Sequence, residues 1–135
     1  MMEYTIENMA RATGGYIARN DLPSDFIIKN IAIDSRTLLA GEGTLFFALK
    51  GVRNDGHRFI SDLVSKKVTA FVVSDPVKID PGHKIAIIQV RDTLEALQRL
   101  AEYHRSLFYW PVIGITGSNG KTVIKEWLYN LLSFH

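Results

Sequence analysis

The chain has 135 residues with 47% hydrophobic content, enough to bury one core and not two, so one domain plus the beginning of a second is the expectation. Sixteen Lys and Arg against fourteen Asp and Glu leave a formal charge of +2 with the basic residues scattered, which excludes an electrostatic footprint for nucleic acid or a membrane surface. The absence of cysteine excludes a disulfide framework and a thiolate metal site, and Met1-Met2-Glu3-Tyr4 lacks the basic and apolar runs of a signal peptide, so a soluble, cytoplasmic chain without membrane insertion is expected.

Residues 5–13 carry Ile6, Met9 and Ala10 at helical spacing and stop at Gly14-Gly15, a pair suited to the left-handed residue that closes a helix. Residues 26–33 and 44–49 are short and rich in β-branched or aromatic side chains, and the turn-prone Ala40-Gly41-Glu42-Gly43 precedes the second; both read as strands. Residues 57–66 place Phe59, Ile60, Leu63 and Val64 on one helical face and lead into a strand over 68–73. After the Asp80-Pro81-Gly82 turn, 84–90 is another strand, and Asp92 followed by Glu95 resembles a capping box opening a helix at Thr93. That helix should end near Tyr109-Trp110-Pro111, because proline disfavours helix in its predecessor, and the domain boundary is placed there.

Residues 112–116 then read as a buried strand and 121–132 as a helix whose apolar side includes Val123, Ile124, Trp127 and Leu128. A lone strand and helix cannot bury both faces, so further chain beyond His135 is expected. The fold class is α/β: a mixed sheet flanked by helices, followed by the first strand, phosphate loop and helix of a second domain.

Between that strand and helix lies Gly114-Ile115-Thr116-Gly117-Ser118-Asn119-Gly120-Lys121-Thr122. Closing backbone N–H groups around phosphate oxygens needs residues without a Cβ at a helix N-terminus, and Gly117 and Gly120 meet that need. Lys121 would place a point charge on the terminal phosphates of a nucleotide, and the Thr122 hydroxyl would ligate the Mg2+ that bridges them. The general phosphate-loop pattern requires glycine where Ile115 stands, and the glycine spacing also fails the dinucleotide fingerprint.

The variant over 114–122 resembles the ATP loop of Mur ligases, which carries the extra residue that the general pattern forbids. Upstream, Asp34-Ser35-Arg36, then Thr44-Leu45-Phe46-Phe47-Ala48-Leu49-Lys50-Gly51, then Asp55-Gly56-His57-Arg58-Phe59-Ile60 are similar in order and spacing to the N-terminal domain of that family. Within it, Val90-Arg91-Asp92-Thr93-Leu94-Glu95-Ala96-Leu97, Tyr103-His104-Arg105 and Lys125-Glu126 look most like the MurF-type branch, which joins D-Ala-D-Ala to UDP-MurNAc-tripeptide. The sister branch that adds the third stem-peptide residue shares the Asp-Ser-Arg and Asp-Gly-His features and is the nearest alternative, with a non-catalytic nucleotide-binding module as the rival from another class. The wording Lys125-Glu126-Trp127-Leu128 also resembles forms in which the ligase is fused to an alanine racemase.

The resemblance implies an ATP-dependent amide-bond ligase of peptidoglycan precursor synthesis that works through an acyl phosphate. Residues 1–109 would be the UDP-sugar (UDP-MurNAc) domain and 110–135 the truncated start of the central ATP-binding domain, so that 1–135 alone would not turn over. It assigns Thr116, Gly117, Ser118, Asn119, Gly120, Lys121 and Thr122 to ATP, with Lys121 catalytic and Thr122 on Mg2+. Ser35 and Arg36 match positions contacting the UDP-sugar, a hydroxyl and guanidinium suited to pyrophosphate or a uracil edge. Lys50, Gly51, Asn54, Asp55 and His57 form a loop that could close over the nucleotide, although local chemistry favours Asp55 as the cap of the helix beginning near His57. His83, His104 and His135 have no ligand spacing, and Tyr109, Trp110 and Trp127 read as packing residues.

Overall fold

The computed structural model describes residues 4–38 and 41–133; Ala40 of the predicted turn and His135 lie outside them. The chain forms α1 (Ile6–Thr13), β1 (Tyr16–Asn20), β2 (Asn30–Ala32), β3 (Thr44–Phe47), a 3-10 turn (Gly56–Phe59), α2 (Ile60–Ser65), β4 (Ala70–Val73), β5 (Ala86–Gln89), α3 (Thr93–Ser106) and α4 (Lys121–Leu132). Thr5 caps α1 by accepting from the Asn8 amide, and Gly14, at φ 70°, closes it in the left-handed conformation that a Cβ would penalise. Asp92 caps α3 through the amides of Leu94 and Glu95. Only half of the expected capping box forms, since the Glu95 carboxylate binds Arg99 at 2.7 Å, one turn along α3.

The five strands form one sheet in the order β1-β5-β4-β3-β2. Neighbours from β2 to β5 run parallel, and β1 lies antiparallel on β5. Strand period decides the layers: Leu45, Phe47, Ala70, Val72, Ala86 and Ile88 face one way and pack under Ile6, Met9 and Ala10 of α1 and Ala96 and Leu100 of α3. Phe46, Phe71, Val73, Ile85 and Ile87 face the other way, onto Ile60 and Leu63 of α2. β3 and β4 are buried throughout, as parallel strands covered on both sides should be.

Several expectations change. The strand read over 26–33 is ordered as a strand only over Asn30–Ala32, and its earlier half is held by single contacts such as Ile28 N–H to Tyr4 O at 2.9 Å. The helix read over 57–66 begins as a 3-10 turn and becomes α-helical only at Ile60. Residues 112–116 form no strand, and Val112 and Ile113 are exposed, because no neighbouring strand among the described residues offers them a ladder. Tyr109, Trp110 and Trp127 are exposed instead of packed, and α4 has no buried residue. Among the described residues no helix is long and apolar enough to cross a membrane.

Candidate functional site

The parallel strands all deliver their carboxyl ends to one edge of the sheet, where open α/β folds place ligands. At that edge the segment leaving β2 and the segment leaving β3 enclose a cavity of about 420 Å³, lined by Ile33, Asp34, Ser35, Arg36, Phe46, Leu49, Gly51, Asn54, Gly56 and Phe59. Ser35, Arg36, Gly51 and Asn54 of the expected substrate residues are therefore brought together although two sequence motifs supply them. Lys50, Asp55 and His57 belong to the same loop but do not line the cavity.

Arg36 is pre-set. Its Nε and Nη2 donate to the two oxygens of Asp34 at 3.0 and 2.7 Å, and its amide donates to Asp34 as well. The Arg36 side chain and amide together pull the Asp34 carboxyl from 3.8 down to about 2. A carboxyl with a lowered folded-state pKa contributes stability above its unfolded value of 3.8, and the contribution disappears as pH falls through about 2. An NMR titration of the Asp34 carboxyl is expected to show a midpoint near 2, returning toward 3.8 in Arg36→Ala. At neutral pH the pair is thus close to charge-neutral, and Arg36 offers an anion directed N–H groups more than net charge. The Ser35 hydroxyl makes no hydrogen bond among the described residues; its carbonyl accepts from Lys66 Nζ at 3.2 Å.

The 50–57 loop is a hairpin. Lys50 and Asp55 pair as an antiparallel bridge, and Gly51 N–H donates to Asn54 O at 2.8 Å. Asp55 does cap the following turn, accepting from the His57 amide at 3.0 Å. That amide, with the His57 ring, holds the Asp55 carboxyl below the ordinary range. Lys50 Nζ lies 2.7 Å from Asp75, which raises the lysine's pKa.

Asp55, His57 and Asp75 approach one another closely enough to suggest a cation site. The ring nitrogens argue against it: Nδ1 lies 2.6 Å from Asp55 Oδ1, and Nε2 accepts from the amides of Ser74 and Asp75 at 3.0 and 3.2 Å. The ring has no lone pair left for a metal, which leaves two carboxylates without their nitrogen ligand.

The bend over 114–122 sits at the start of α4. Gly117 and Gly120 have φ of 146° and 76°, values that favour glycine. The amides of Gly117, Ser118, Asn119 and Gly120 donate no hydrogen bond among the described residues, and α4 has no side-chain N-cap, so its first-turn donors also point outward. A Cβ on Gly120 would meet nothing within 4 Å. Lys121 Nζ donates to the Gly117 carbonyl across the bend. Thr116 and Thr122 are exposed. The bend is open to an anion, which fits the polyphosphate of ATP, and the Thr122 hydroxyl, which has no hydrogen bond among the described residues, fits one position of a phosphate-bound Mg2+.

The sequence reading missed Asp34, Phe46 and Phe59 as cavity residues. Asp34 had a signal, since a carboxylate two residues before an arginine in a turn can chelate it; Phe46 had none beyond strand alternation, and Phe59, at the end of the 3-10 turn, had none.

The model for the Mur ligase family, catalytic domain, matches residues 27–105. A UDP-N-acetylmuramoyl-tripeptide--D-alanyl-D-alanine ligase of Synechocystis is 42% identical over 113 residues, 84% of this chain and 24% of that protein. A UDP-N-acetylmuramoyl-L-alanyl-D-glutamate--2,6-diaminopimelate ligase of Cytophaga hutchinsonii is 37% identical over 110 residues, 80% of this chain and 22% of that protein. A crystal structure of MurF from Acinetobacter baumannii superposes with a TM-score of 0.81 at 36% identity, covering 98% of this chain and 28% of that one. The chain spans about a quarter of the length of these relatives, and its 114–122 bend lies outside the family match but inside the structural one. A match over most of the sheet domain, joined to an open phosphate bend, leaves one conclusion: the chain belongs to the Mur ligase family.

Proposed function

We propose that this chain is the opening portion of a MurF-type ligase, an ATP-dependent enzyme that adds D-Ala-D-Ala to UDP-MurNAc-tripeptide in the cytoplasm. Residues 1–109 hold the UDP-sugar end of the substrate, and 110–135 open the ATP-binding domain. The observation that carries this reading is the convergence of Ser35, Arg36, Gly51 and Asn54 on one cavity at the carboxyl edge of parallel strands. Its volume falls in the range of small-ligand sites, about 300–1,000 Å³.

Arg36 would hydrogen-bond pyrophosphate oxygens while Asp34 holds the guanidinium plane, and the Ser35 hydroxyl, without a partner among the described residues, would add a donor. The amides of residues 117–120, with Lys121, would hold the ATP phosphates, and Thr122 one coordination position of Mg2+. ATP supplies the phosphoryl group that turns a poorly electrophilic carboxylate into an acyl phosphate open to the amine.

Calorimetry with UDP-MurNAc-tripeptide tests the first half. Ser35→Ala should weaken binding roughly fivefold, the worth of one hydrogen bond. Arg36→Ala should weaken it roughly 10- to 100-fold, because it removes charge-assisted donors and leaves Asp34 unpaired beside the phosphates. Asp34→Asn added to Arg36→Ala should recover part of that loss. Unchanged affinity in both single variants would remove the nucleotide from this cavity, and a preference for UDP-MurNAc-dipeptide would move the reading to the diaminopimelate-adding branch.

A further inference from the structure

Gly51 and Asn54 reach the cavity from a hairpin whose tip, Val52 and Arg53, is exposed, so the position of that wall is set at the hairpin's base. The base is tied twice to the segment leaving β4: Lys50 Nζ binds Asp75 at 2.7 Å, and the His57 ring binds Asp55 on one side and the Ser74 and Asp75 amides on the other. The His57 side chain is only 8% exposed. Amides can only donate, so Nε2 must present a lone pair, the ring proton must sit on Nδ1, and the contact with Asp55 is a hydrogen bond from a neutral imidazole. Gly56 seats this base directly on the chain leaving β3, since a Cβ there would lie 2.9 Å from the Ala48 backbone.

We propose that His57 is a positioning residue: neutral and protonated on Nδ1, it joins the 50–55 hairpin to the segment after β4 and so sets the Gly51 and Asn54 wall of the cavity, without touching the ligand. Only its consequence for affinity rests on the nucleotide reading; the joint itself does not. Removing the ring would leave the Ser74 and Asp75 amides without this partner and take the ring contact from Asp55, which keeps the His57 amide. Of the two side-chain ties to the segment after β4 described above, the Lys50 contact would then remain, and it is solvent-exposed and weak.

The test combines NMR and calorimetry on the 135-residue chain. In the wild type, long-range proton–nitrogen spectra should show Nδ1 protonated and Nε2 not, and the Ser74 and Asp75 amides should be protected from hydrogen exchange. In His57→Ala that protection should fall roughly tenfold or more while core strand amides keep theirs. His57→Gln can place a carboxamide oxygen near the position of Nε2 and should hold protection within about threefold. Affinity for UDP-MurNAc-tripeptide should follow the same order, with roughly a tenfold loss in His57→Ala and little in His57→Gln.

The opposite tautomer, or a folded His57→Ala with unchanged protection, would overturn the proposal. So would a His57→Gln that keeps protection yet loses as much affinity as alanine, since the ring would then be a ligand contact. A wild type that binds no nucleotide while the tautomer and protection results hold supports the joint and sinks the nucleotide reading.

Discussion

Phe71→Ala is expected to destabilise the chain by about 3–5 kcal/mol, the cost of emptying a large aromatic site in a core that relaxes only partly. Phe71 is fully buried on β4, between β3 and β5, and packs edge-to-face on Phe46, with ring centroids 6.5 Å apart at 69°. That pairing adds about 0.5–1.5 kcal/mol beyond area burial. Against a typical total of about 5–15 kcal/mol, the loss leaves a chain near its folding threshold. A urea titration should show a much lower midpoint with an unchanged slope. Phe46 also lines the cavity, so Phe71→Leu, which keeps most of the volume, should retain nucleotide affinity better than Phe71→Ala under conditions where both are folded. An alanine variant within about 1 kcal/mol of wild type would mean that this side of the sheet is not packed as described.

Lys121→Ala is expected to lower turnover by about 10²–10³ in a complete ligase carrying this chain, the usual scale for deleting one preorganised charge donor at a transferring group. The lysine begins α4 and reaches back to the Gly117 carbonyl, so its ammonium already lies across the bend whose amides donate to no described residue. It does not line the cavity formed by the segments after β2 and β3, so affinity for UDP-MurNAc-tripeptide should be unaffected. Phosphate release at saturating substrate, with nucleotide affinity measured in parallel, separates the two. Retained turnover would remove Lys121 from catalysis, and a fall in UDP-sugar affinity alone would show that it acts elsewhere.

What the sequence reveals depends on whether the signal is local. α1 and α3 were legible because end signals and apolar spacing lie within a few residues, as with Gly14 and Asp92. β3 and β4 were legible because strands buried on both faces read as unbroken apolar runs. β1 was not: Tyr16-Ile17-Ala18-Arg19-Asn20 is largely exposed and bulged between Ile17 and Arg19, and it is a strand only because β5 lies beside it. The apolar run 112–116 misled for the inverse reason, since its composition demands a neighbour that no described residue supplies.

The same division holds at the site. The glycine bend and the Asp34–Arg36 turn are local features, and their chemistry could be named from residue types. That Gly51 and Asn54 share a cavity with Ser35 and Arg36 depends on β2 lying beside β3, a pairing that spacing does not encode. The role of His57 depends on Ser74 and Asp75, residues far along the chain that end a different strand.

Amide chemical-shift mapping on titration with UDP-MurNAc-tripeptide tests the central claim most directly. Saturable shifts should concentrate on residues 33–36 and 51–59 and leave α1 and α3 unmoved. Shifts confined to the apolar groove formed by Tyr4, Ile28, Ile31, Leu97 and His104, or none at millimolar ligand, would contradict it.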